Sequence, residues 1–286
     1  MNNKVKLKGH ESFSIREGWL TKGIFEVHEN PRVFSEKNQT DIFGIGTNMV
    51  KSLKYWLIVS NLIEEQENGY RLSELGQLIM ENDPYMEDIF SLYLIHTQIA
   101  QNTERALIWN IFFNKCHMKT FTKSELQTRI EYILESENLE YNAKILGDEI
   151  SALLKTYASE PKNDTPENNF TCPLVELKLL KKVEKDTYKK EKSSISNLDP
   201  YIVYWLILNQ AKDRDSINIE ELLNEDNSAA NLLNLDKILL NEYLDILKRL
   251  NLITLNRTAG LNMVYINQRY TLRKIFEIHY GREQEN

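Results

Sequence analysis

Cysteine, glycine and proline are all scarce in this chain of 286 residues, which contains two, ten and six of them respectively. The two cysteines, Cys116 and Cys172, are too few for a disulfide framework or a cysteine-based zinc site. We expect both to be small buried apolar residues. No segment has the glycine-rich pattern of a dinucleotide-binding fold or a P-loop. The scarcity therefore excludes several classes of secreted, zinc-binding and nucleotide-binding protein.

Long apolar runs are also missing from the sequence. The apolar run at residues 201–208 falls well short of the roughly 20 residues that a membrane-spanning helix needs. The first thirteen residues, MNNKVKLKGHESF, contain no apolar segment of the kind found in a secretory signal. We therefore expect a cytoplasmic protein that does not associate with a membrane.

Recognisable catalytic and metal-binding patterns are absent. No two of the five histidines have the spacing of metal ligands, and there is no nucleophile elbow, Walker pattern or His-Glu-x-x-His. The histidines are His10, His28, His96, His117 and His279. The sequence thus predicts a protein that is not an enzyme and has no metal site and no cofactor. A cryptic catalytic site around His10, Glu11 and Arg16 is a third alternative.

The residues that are abundant indicate a folded protein of two or three domains. Hydrophobic residues make up 42% of the chain and aromatic residues 10%, which is enough to build real cores. The formal net charge of −7 argues against a generic binder of polyanions. Because net charge says little about where the charges lie, the distribution along the chain has to be considered separately.

The N-terminal part shows a succession of strong local signals. Apolar residues at helical spacing predict a helix over residues 14–28, which Pro31 ends. A second helix is predicted over residues 48–61 with Thr47 as its N-cap, and a hairpin over residues 62–72. Ser73 then caps a further helix at residues 74–80. This order of elements is typical of a winged helix-turn-helix.

The middle of the chain consists of a helical region, a polar stretch and a basic segment. Residues 84–159 have helical periodicity throughout, and the polar stretch 160–169, which contains Pro161 and Pro166, predicts a linker. Residues 178–192 carry seven lysines against three acidic residues and form a predicted exposed basic segment or wing.

The C-terminal part repeats the element order of the N-terminal part without detectable sequence identity. An apolar helix at residues 201–210 is followed by a short strand, a short helix, a long amphipathic helix at residues 236–251, a hairpin over residues 252–266 and a closing helix. The predicted fold class is mainly α, with winged helix-turn-helix modules at the N- and C-terminal ends, a helical middle and short β-hairpin wings. The predicted domains are residues 1–83, 84–159, 160–199 (linker and basic segment) and 200–286.

Charge is segregated along the sequence. Residues 247–276 contain six lysines or arginines and no acidic residue, and residues 44–63 contain Lys51 and Lys54 and no acidic residue. Residues 213–226, by contrast, contain six acidic residues and only Arg214 as a cation. Such segregation concentrates electrostatic potential on particular surfaces.

Both predicted modules have candidate contacts to double-stranded DNA. In the first, Thr47, Asn48, Lys51, Ser52 and Tyr55 are expected on the outward side of the second helix, where amide and ammonium groups suit a major groove. The acidic hairpin at residues 64–67 would repel phosphates, so this module is equally well interpreted as a protein-interaction module. In the second, cations surround a hairpin without acids, and the alternative is a solvated face that balances the acidic stretch. The candidate DNA-binding residues are Thr47, Asn48, Lys51, Lys54, Lys248, Arg249, Arg257, Arg269 and Arg273.

Three segments resemble one bacterial family. These are residues 9–23 (GHESFSIREGWLTKG), residues 44–57 (GIGTNMVKSLKYWL) and residues 171–176 (TCPLVE). Together they resemble a bacterial domain-of-unknown-function family, number 4007, over most of the chain. The resemblance implies a winged-helix-containing accessory protein whose gene lies beside genes for DNA phosphorothioation or phage defence. It implies no catalytic assignment.

Two functional hypotheses follow. The first is a non-enzymatic accessory protein that binds double-stranded DNA as part of a DNA-modification (phosphorothioation-type) or phage-defence system, together with other proteins of that system. The alternative is a protein-interaction adaptor that docks a sulfur-transfer or DNA-modification enzyme without binding DNA. Glu11, Arg16 and Lys22, in the first family-like segment, are the candidate partner-binding residues. The oligomeric state stays open.

Overall fold

The computed structural model describes residues 5–159, 171–258 and 261–281. The contacts within the chain divide it into two compact units, Met1–Glu191 and Lys192–Asn286, whereas the sequence predicted four segments. The predicted linker at residues 160–169 lies outside the described residues. Within the described residues, no helix is long and apolar enough to cross a membrane.

The first unit is built from eight described α-helices and five described strands, with short 3-10 helices at Val33–Ser35 and Pro173–Leu177. Its helices are α1 (Trp19–Glu29), α2 (Gln39–Phe43), α3 (Thr47–Val59), α4 (Glu74–Asn82), α5 (Ile89–Gln101), α6 (Leu107–Asn114), α7 (Lys123–Ser136) and α8 (Ala143–Ala158). Its strands are β1 (Ile63–Gln66), β2 (Gly69–Leu72), β3 (Thr120–Thr122), β4 (Leu180–Glu184) and β5 (Thr187–Lys190).

The second unit contains, in its described residues, five α-helices and three strands. The helices are α9 (Pro200–Ala211), α10 (Ile219–Asn224), α11 (Ala229–Leu232), α12 (Lys237–Arg249) and α13 (Leu272–His279). The strands are β6 (Ser216–Asn218), β7 (Ile253–Asn256) and β8 (Met263–Ile266). Asp199, Ser228, Asp236 and Thr271 each accept a backbone N–H at a helix start, which satisfies donors that the helix itself leaves free.

The predicted fold class, mainly α with winged helix-turn-helix modules at both ends, is wrong. About 53% of the protein is helical and 12% is strand, and the strands form three small antiparallel sheets. The fold is therefore a mixture of α and β rather than a pair of winged modules joined by helices. The sheets are β1-β2, β3-β5-β4 and β6-β8-β7.

The error is largest in the middle of the chain. Residues 120–122, predicted to be part of a helical region, form β3, which pairs antiparallel with β5 from the predicted basic segment. Strands β4 and β5 make that segment a hairpin, the wing that was one of the two forms predicted for it. Because a three-residue strand has almost no periodicity of its own, only its distant partner defines it.

The start of α1 differs from the prediction for a local reason. Gly18 precedes the helix with φ of 73°, a left-handed conformation that interrupts any helix running from residue 14. The helix therefore begins at Trp19. At the next helix, Gly46 occupies the N-cap position of α3, so Thr47 is the first helical residue and not the cap that was predicted. The predicted cap at Ser73 is confirmed, since its hydroxyl accepts the backbone N–H of Gly76.

Aromatic side chains dominate the core of the first unit. Trp56 and Trp109 are fully buried and meet edge to face, with ring centroids 5.4 Å apart. His96 donates or accepts a hydrogen bond with the hydroxyl of Tyr157 at 2.8 Å, and both contact Phe113. Cys116 and Cys172 are free and buried, as the sequence predicted. Burial raises the pKa of the Cys116 thiol to about 11 and of the Cys172 thiol to about 12.

Candidate nucleic-acid interface

Two of the predicted DNA-binding cations lie at the C-terminal end of α12. Lys248 and Arg249 occupy the last turn of this helix and are solvent-exposed. A cation there is favourable because the helix end carries partial negative charge. Neither side chain forms an ion pair with a residue that the structure describes.

Arg257, which follows strand β7, is held against α12. Its Nη2 donates to Oδ1 of Asn241 at 2.8 Å and lies 3.3 Å from Oδ1 of Asp245. Both side chains of this ion pair are nearly half exposed, so the pair stabilises the fold only weakly. Arg257 nevertheless has an acidic neighbour, Asp245, although the sequence predicted an acid-free region around it.

Arg269 serves the fold of the second unit. Its guanidinium donates to the backbone carbonyls of Lys212 and Arg214, at 2.6 and 2.5 Å. These bonds tie the segment before α13 to the loop before β6, and because carbonyls carry no net charge the cation keeps its charge. Arg273 is exposed in the first turn of α13. Of the five predicted cations of this unit, Arg257 and Arg269 thus bond to other parts of the fold. Lys248 and Arg249 lie exposed at the end of α12.

The N-terminal candidates are only partly placed as predicted. Thr47, Asn48 and Lys51 are exposed on α3, and the ammonium of Lys54 lies 5.9 Å from the ring of Tyr70. The expectation for the other two outward residues is wrong, because Ser52 and Tyr55 are buried.

Tyr55 and its neighbours show why this face of α3 is covered. Its hydroxyl donates to the carbonyl of Arg105 at 2.8 Å, and the segment before α1 lies against its ring so closely that a Cβ on Gly9 would be 2.5 Å away. Burial and the nearby Glu149 raise the pKa of Tyr55 far above its ordinary value. The part of the expected DNA-contacting face that contains Ser52 and Tyr55 is therefore in the core, whereas Thr47, Asn48 and Lys51 stay exposed.

The acidic hairpin that was expected to repel phosphates is partly neutralised. Glu64 pairs with Nε of Arg71 at 3.0 Å, and Glu65 pairs with Nη2 of Arg105 at 3.1 Å. Both pairs are exposed and so are weak and easily screened.

One of the three predicted partner-binding residues lines a cavity of about 460 Å³ in the first unit. Arg16 lines it, with its guanidinium 5.6 Å from the ring of Phe13 and 5.4 Å from that of Trp19. Glu11 sits in a turn with φ of 48°, and Lys22 is exposed on α1; neither lines the cavity. Residues 15–18, 20–21 and 171–174 contribute to the wall, so the first and third family-like segments meet at one place.

His10 lies elsewhere, inside the core. It is completely buried, its Nε2 lies 3.0 Å from Oε1 of Glu149, and its ring stacks on Trp56. The backbone N–H of Lys8 also donates to Glu149. His10 does not line the cavity that holds Arg16, so the structure does not bring together the residues of the cryptic catalytic site considered above.

Sequence reasoning missed Lys190, a half-buried lysine whose ammonium group contacts the core. The Nζ of Lys190, on β5, donates to the carbonyls of Phe112 and Cys116 at 2.6 and 2.7 Å and lies 4.2 Å from the centre of the Phe112 ring. Desolvation lowers its pKa to about 8. The signal that would have singled it out is the alternation of β5, which turns Tyr188 and Lys190 to the face opposite Lys189.

A metal site needs several donor side chains in one place. In the ranges that the structure describes, no group of three or more His, Cys, Asp or Glu side chains is arranged to hold a metal ion. Divalent magnesium and calcium need several oxygen ligands. The described residues thus provide no fitting donor set.

Comparisons with known proteins place this chain in a family. A magnesium ion-bound crystal structure of SspB and a further SspB crystal structure both have a TM-score of 0.84, with 20% identity, covering 98% of this chain and 90% of the SspB chain. At that identity the likeness shows the fold, and the magnesium ion is a property of SspB alone. No curated protein matches the sequence. Residues 7–280 match the family described as "Protein of unknown function (DUF4007)", and the chain belongs to that family.

Proposed function

We propose that this protein is a non-catalytic accessory protein that binds double-stranded DNA in a bacterial DNA-modification system of the phosphorothioation type or in phage defence. It would act in the cytoplasm beside the other proteins of that system. The genomic context implied by the family supports the choice of system. The exposed cations at the end of α12 support the choice of DNA.

The observation that carries the proposal is the pair Lys248 and Arg249. Both lie in the last turn of the helix and are solvent-exposed. A lysine and an arginine placed in this way neutralise phosphates and release counterions, which gives affinity without reading the base sequence. Arg257 and Arg273 add positive charge in the same unit. The expected mode is thus orientation on the DNA backbone, with strong dependence on salt.

The test is duplex binding by a double charge reversal, Lys248→Glu with Arg249→Glu, measured by fluorescence anisotropy over a range of salt concentrations. We expect weaker binding and a slope of log affinity against log salt that is smaller by about 2, since each phosphate contact contributes about 0.9. Arg257 and Arg269 are kept in this variant, because replacing them would also break hydrogen bonds within the second unit.

The matched control reverses two exposed lysines on α8 of the first unit, Lys144→Glu with Lys155→Glu. It changes the net charge by the same amount. Equal loss of binding in both double variants would show a general charge effect and would contradict the assigned site. A parent protein that fails to bind duplex DNA at low salt would contradict the proposal as a whole.

A second candidate, an adaptor that docks a sulfur-transfer or DNA-modification enzyme without binding DNA, is favoured by the cavity beside Arg16. Its wall joins two family-like segments that are far apart in the sequence. The test is a pull-down of the neighbouring gene products with and without nuclease. Association that survives nuclease and is lost on Arg16→Glu, but not on His28→Ala on the exposed side of α1, would support the adaptor.

A further inference from the structure

The sheet β3-β5-β4 of the first unit has one face that is rich in lysine. We call this the lysine face and define it as Lys181 on β4, Lys189 on β5 and Lys185 in the turn between β4 and β5. All three are solvent-exposed. None of them belongs to the cations that carry the function proposed above, all of which are in the second unit.

The register of the strands sets the two central lysines side by side. Lys181 lies directly opposite Lys189, and Lys189 lies directly opposite Thr120 on the other neighbouring strand. The next row of the sheet consists of Lys182, Tyr188 and Phe121, with Phe121 buried and stacked on Tyr188. Because side chains alternate between faces along a strand, this core-facing row turns Lys181 and Lys189 to the opposite, outer face.

Two like charges directly opposite each other destabilise a sheet. One of these charges is compensated, by the ion pair between Lys189 and Glu191 at 2.8 Å. Lys181 and Lys185 form no ion pair with a residue in the described ranges. Within residues 178–192, three acidic residues stand against seven lysines, in a chain whose net charge is −7. A concentration of positive charge on one sheet face in an acidic protein is the arrangement that attracts an anionic partner.

We infer that the lysine face is a second contact surface for the phosphate backbone of double-stranded DNA. Lysine ammonium groups are compact point charges on flexible stems, so they follow phosphates without imposing the planar geometry that arginine requires. The face presents no aromatic side chain for stacking, which favours backbone contact over recognition of bases. This inference rests on the proposed function and extends it to the first unit.

The test uses the full chain with Lys181→Gln and Lys189→Gln together, which remove the charges from an exposed face and keep polar side chains of similar reach. We expect about tenfold weaker binding of a labelled duplex at about 50 mM salt, and a salt slope smaller by about 2. The control, Lys144→Gln with Lys155→Gln on α8, should bind as the parent does. Circular dichroism melting of each variant checks that the sheet is retained.

The outcomes separate this inference from the proposed function. If the duplex binds the lysine-face variant as it binds the parent while the Lys248→Glu, Arg249→Glu variant binds weakly, the inference is overturned and the proposed function stands. If only the lysine-face variant is weakened, the inference stands and the α12 site falls. A parent that binds vesicles of phosphatidylcholine and phosphatidylserine through these lysines, and not the duplex, overturns both.

Discussion

Helices α3 and α12 occupy equivalent places in the element order of their two units, yet α3 is more deeply buried than α12. Each is followed by a two-stranded hairpin and then by another helix. On α3 the buried residues lie on most sides of the helix, whereas α12 buries only Leu240, Tyr243, Leu244 and Leu247. The exposed part of α12 includes Ile238 and the two cations at its end. The same order of elements thus supplies a core helix in one unit and a surface helix in the other.

The difference arises from what covers each helix. The segment before α1 lies on α3, where the indole N–H of Trp56 donates to the carbonyl of Phe13 at 2.9 Å and Tyr55 bonds to Arg105. The hydroxyl of Tyr243 on α12 bonds to the carbonyl of Leu198, on the helix's buried side. Tyr55 and Trp56 of α3 therefore lie inside the first unit, where their hydrogen bonds act on stability. Lys248 and Arg249 of α12 are exposed to solvent, where they are available for the binding proposed above.

The largest expected effect comes from the buried pair beneath α3. His10→Ala should lower the free energy of unfolding of the first unit by about 3–5 kcal/mol, because it leaves Glu149 buried without its partner. Urea denaturation followed by tryptophan fluorescence measures this, since Trp19, Trp56 and Trp109 belong to that unit. The control His28→Ala, at an exposed position on α1, should stay within about 0.5 kcal/mol of the parent. Equal midpoints for both variants would contradict the structural role of the pair.

The next effect is a pH dependence caused by Lys190. Its pKa is about 8 in the folded protein and has its ordinary value near 10.5 when unfolded, so only the unfolded chain holds this proton between those pH values. Stability therefore rises with pH across that window. At about 1.36 kcal/mol for each pH unit between the two pKa values, the rise is about 3 kcal/mol. The difference in unfolding free energy between the parent and Lys190→Met, measured at pH 7.5 and pH 10.5, should change by that amount. A constant difference would be evidence against the lowered pKa.

Two glycine-to-alanine substitutions compare a tightly packed position of the first unit with a loosely packed one. A Cβ on Gly76, in α4, would lie 2.0 Å from the carbonyl oxygen of Leu62, so Gly76→Ala should cost about 1–3 kcal/mol. A Cβ on Gly147, in α8, would meet only the end of the Gln127 side chain at 3.4 Å. Gly147→Ala should stabilise by about 0.5–1 kcal/mol because alanine favours a helix interior. Thermal melting of the two variants should shift in opposite directions, and a shared direction would refute this reading of the packing.

The smallest expected effect on stability concerns α12. Asp245→Asn removes the acid beside Arg257 and should change the free energy of unfolding by only about 0.2–1 kcal/mol, because the ion pair is exposed. The same change removes a negative charge about one turn before Lys248 and Arg249 on α12, so duplex affinity should increase. Anisotropy measures the affinity, and Glu104→Gln, at an exposed position of the first unit, provides the same change in charge. An equal increase in both variants would argue against a localised site on α12.

Local signals in the sequence predicted the parts of the fold that depend on neighbours in the chain. The Asn68-Gly69 turn fixes the β1-β2 hairpin, the hydroxyl of Ser73 caps α4, and the apolar period predicted that a helix is present at α12. The family-like segments likewise predicted the family correctly. These features need only a few residues on each side to be defined.

Long-range contacts decided what the sequence did not predict. Phe121 and Tyr188 pair across strands that are far apart in the chain, so the sheet of the lysine face has no local signature. Tyr55 was expected to face outward because periodicity alone shows one apolar stripe, but the segment around Gly9 and His10 covers a second side of α3. Arg257 was counted as an unopposed cation because Asp245, which pairs with it, lies before the acid-free stretch.

The buried thiols have a practical consequence for measuring these surfaces. With the pKa of Cys116 at about 11 and that of Cys172 at about 12, about one Cys116 thiol in ten thousand is a thiolate at neutral pH, and fewer at Cys172. The thiolate is the form that reacts with maleimide dyes, and both sulfurs are also sterically enclosed. A single cysteine introduced at an exposed position such as Lys144 would therefore take up a fluorophore selectively, with both native cysteines left in place.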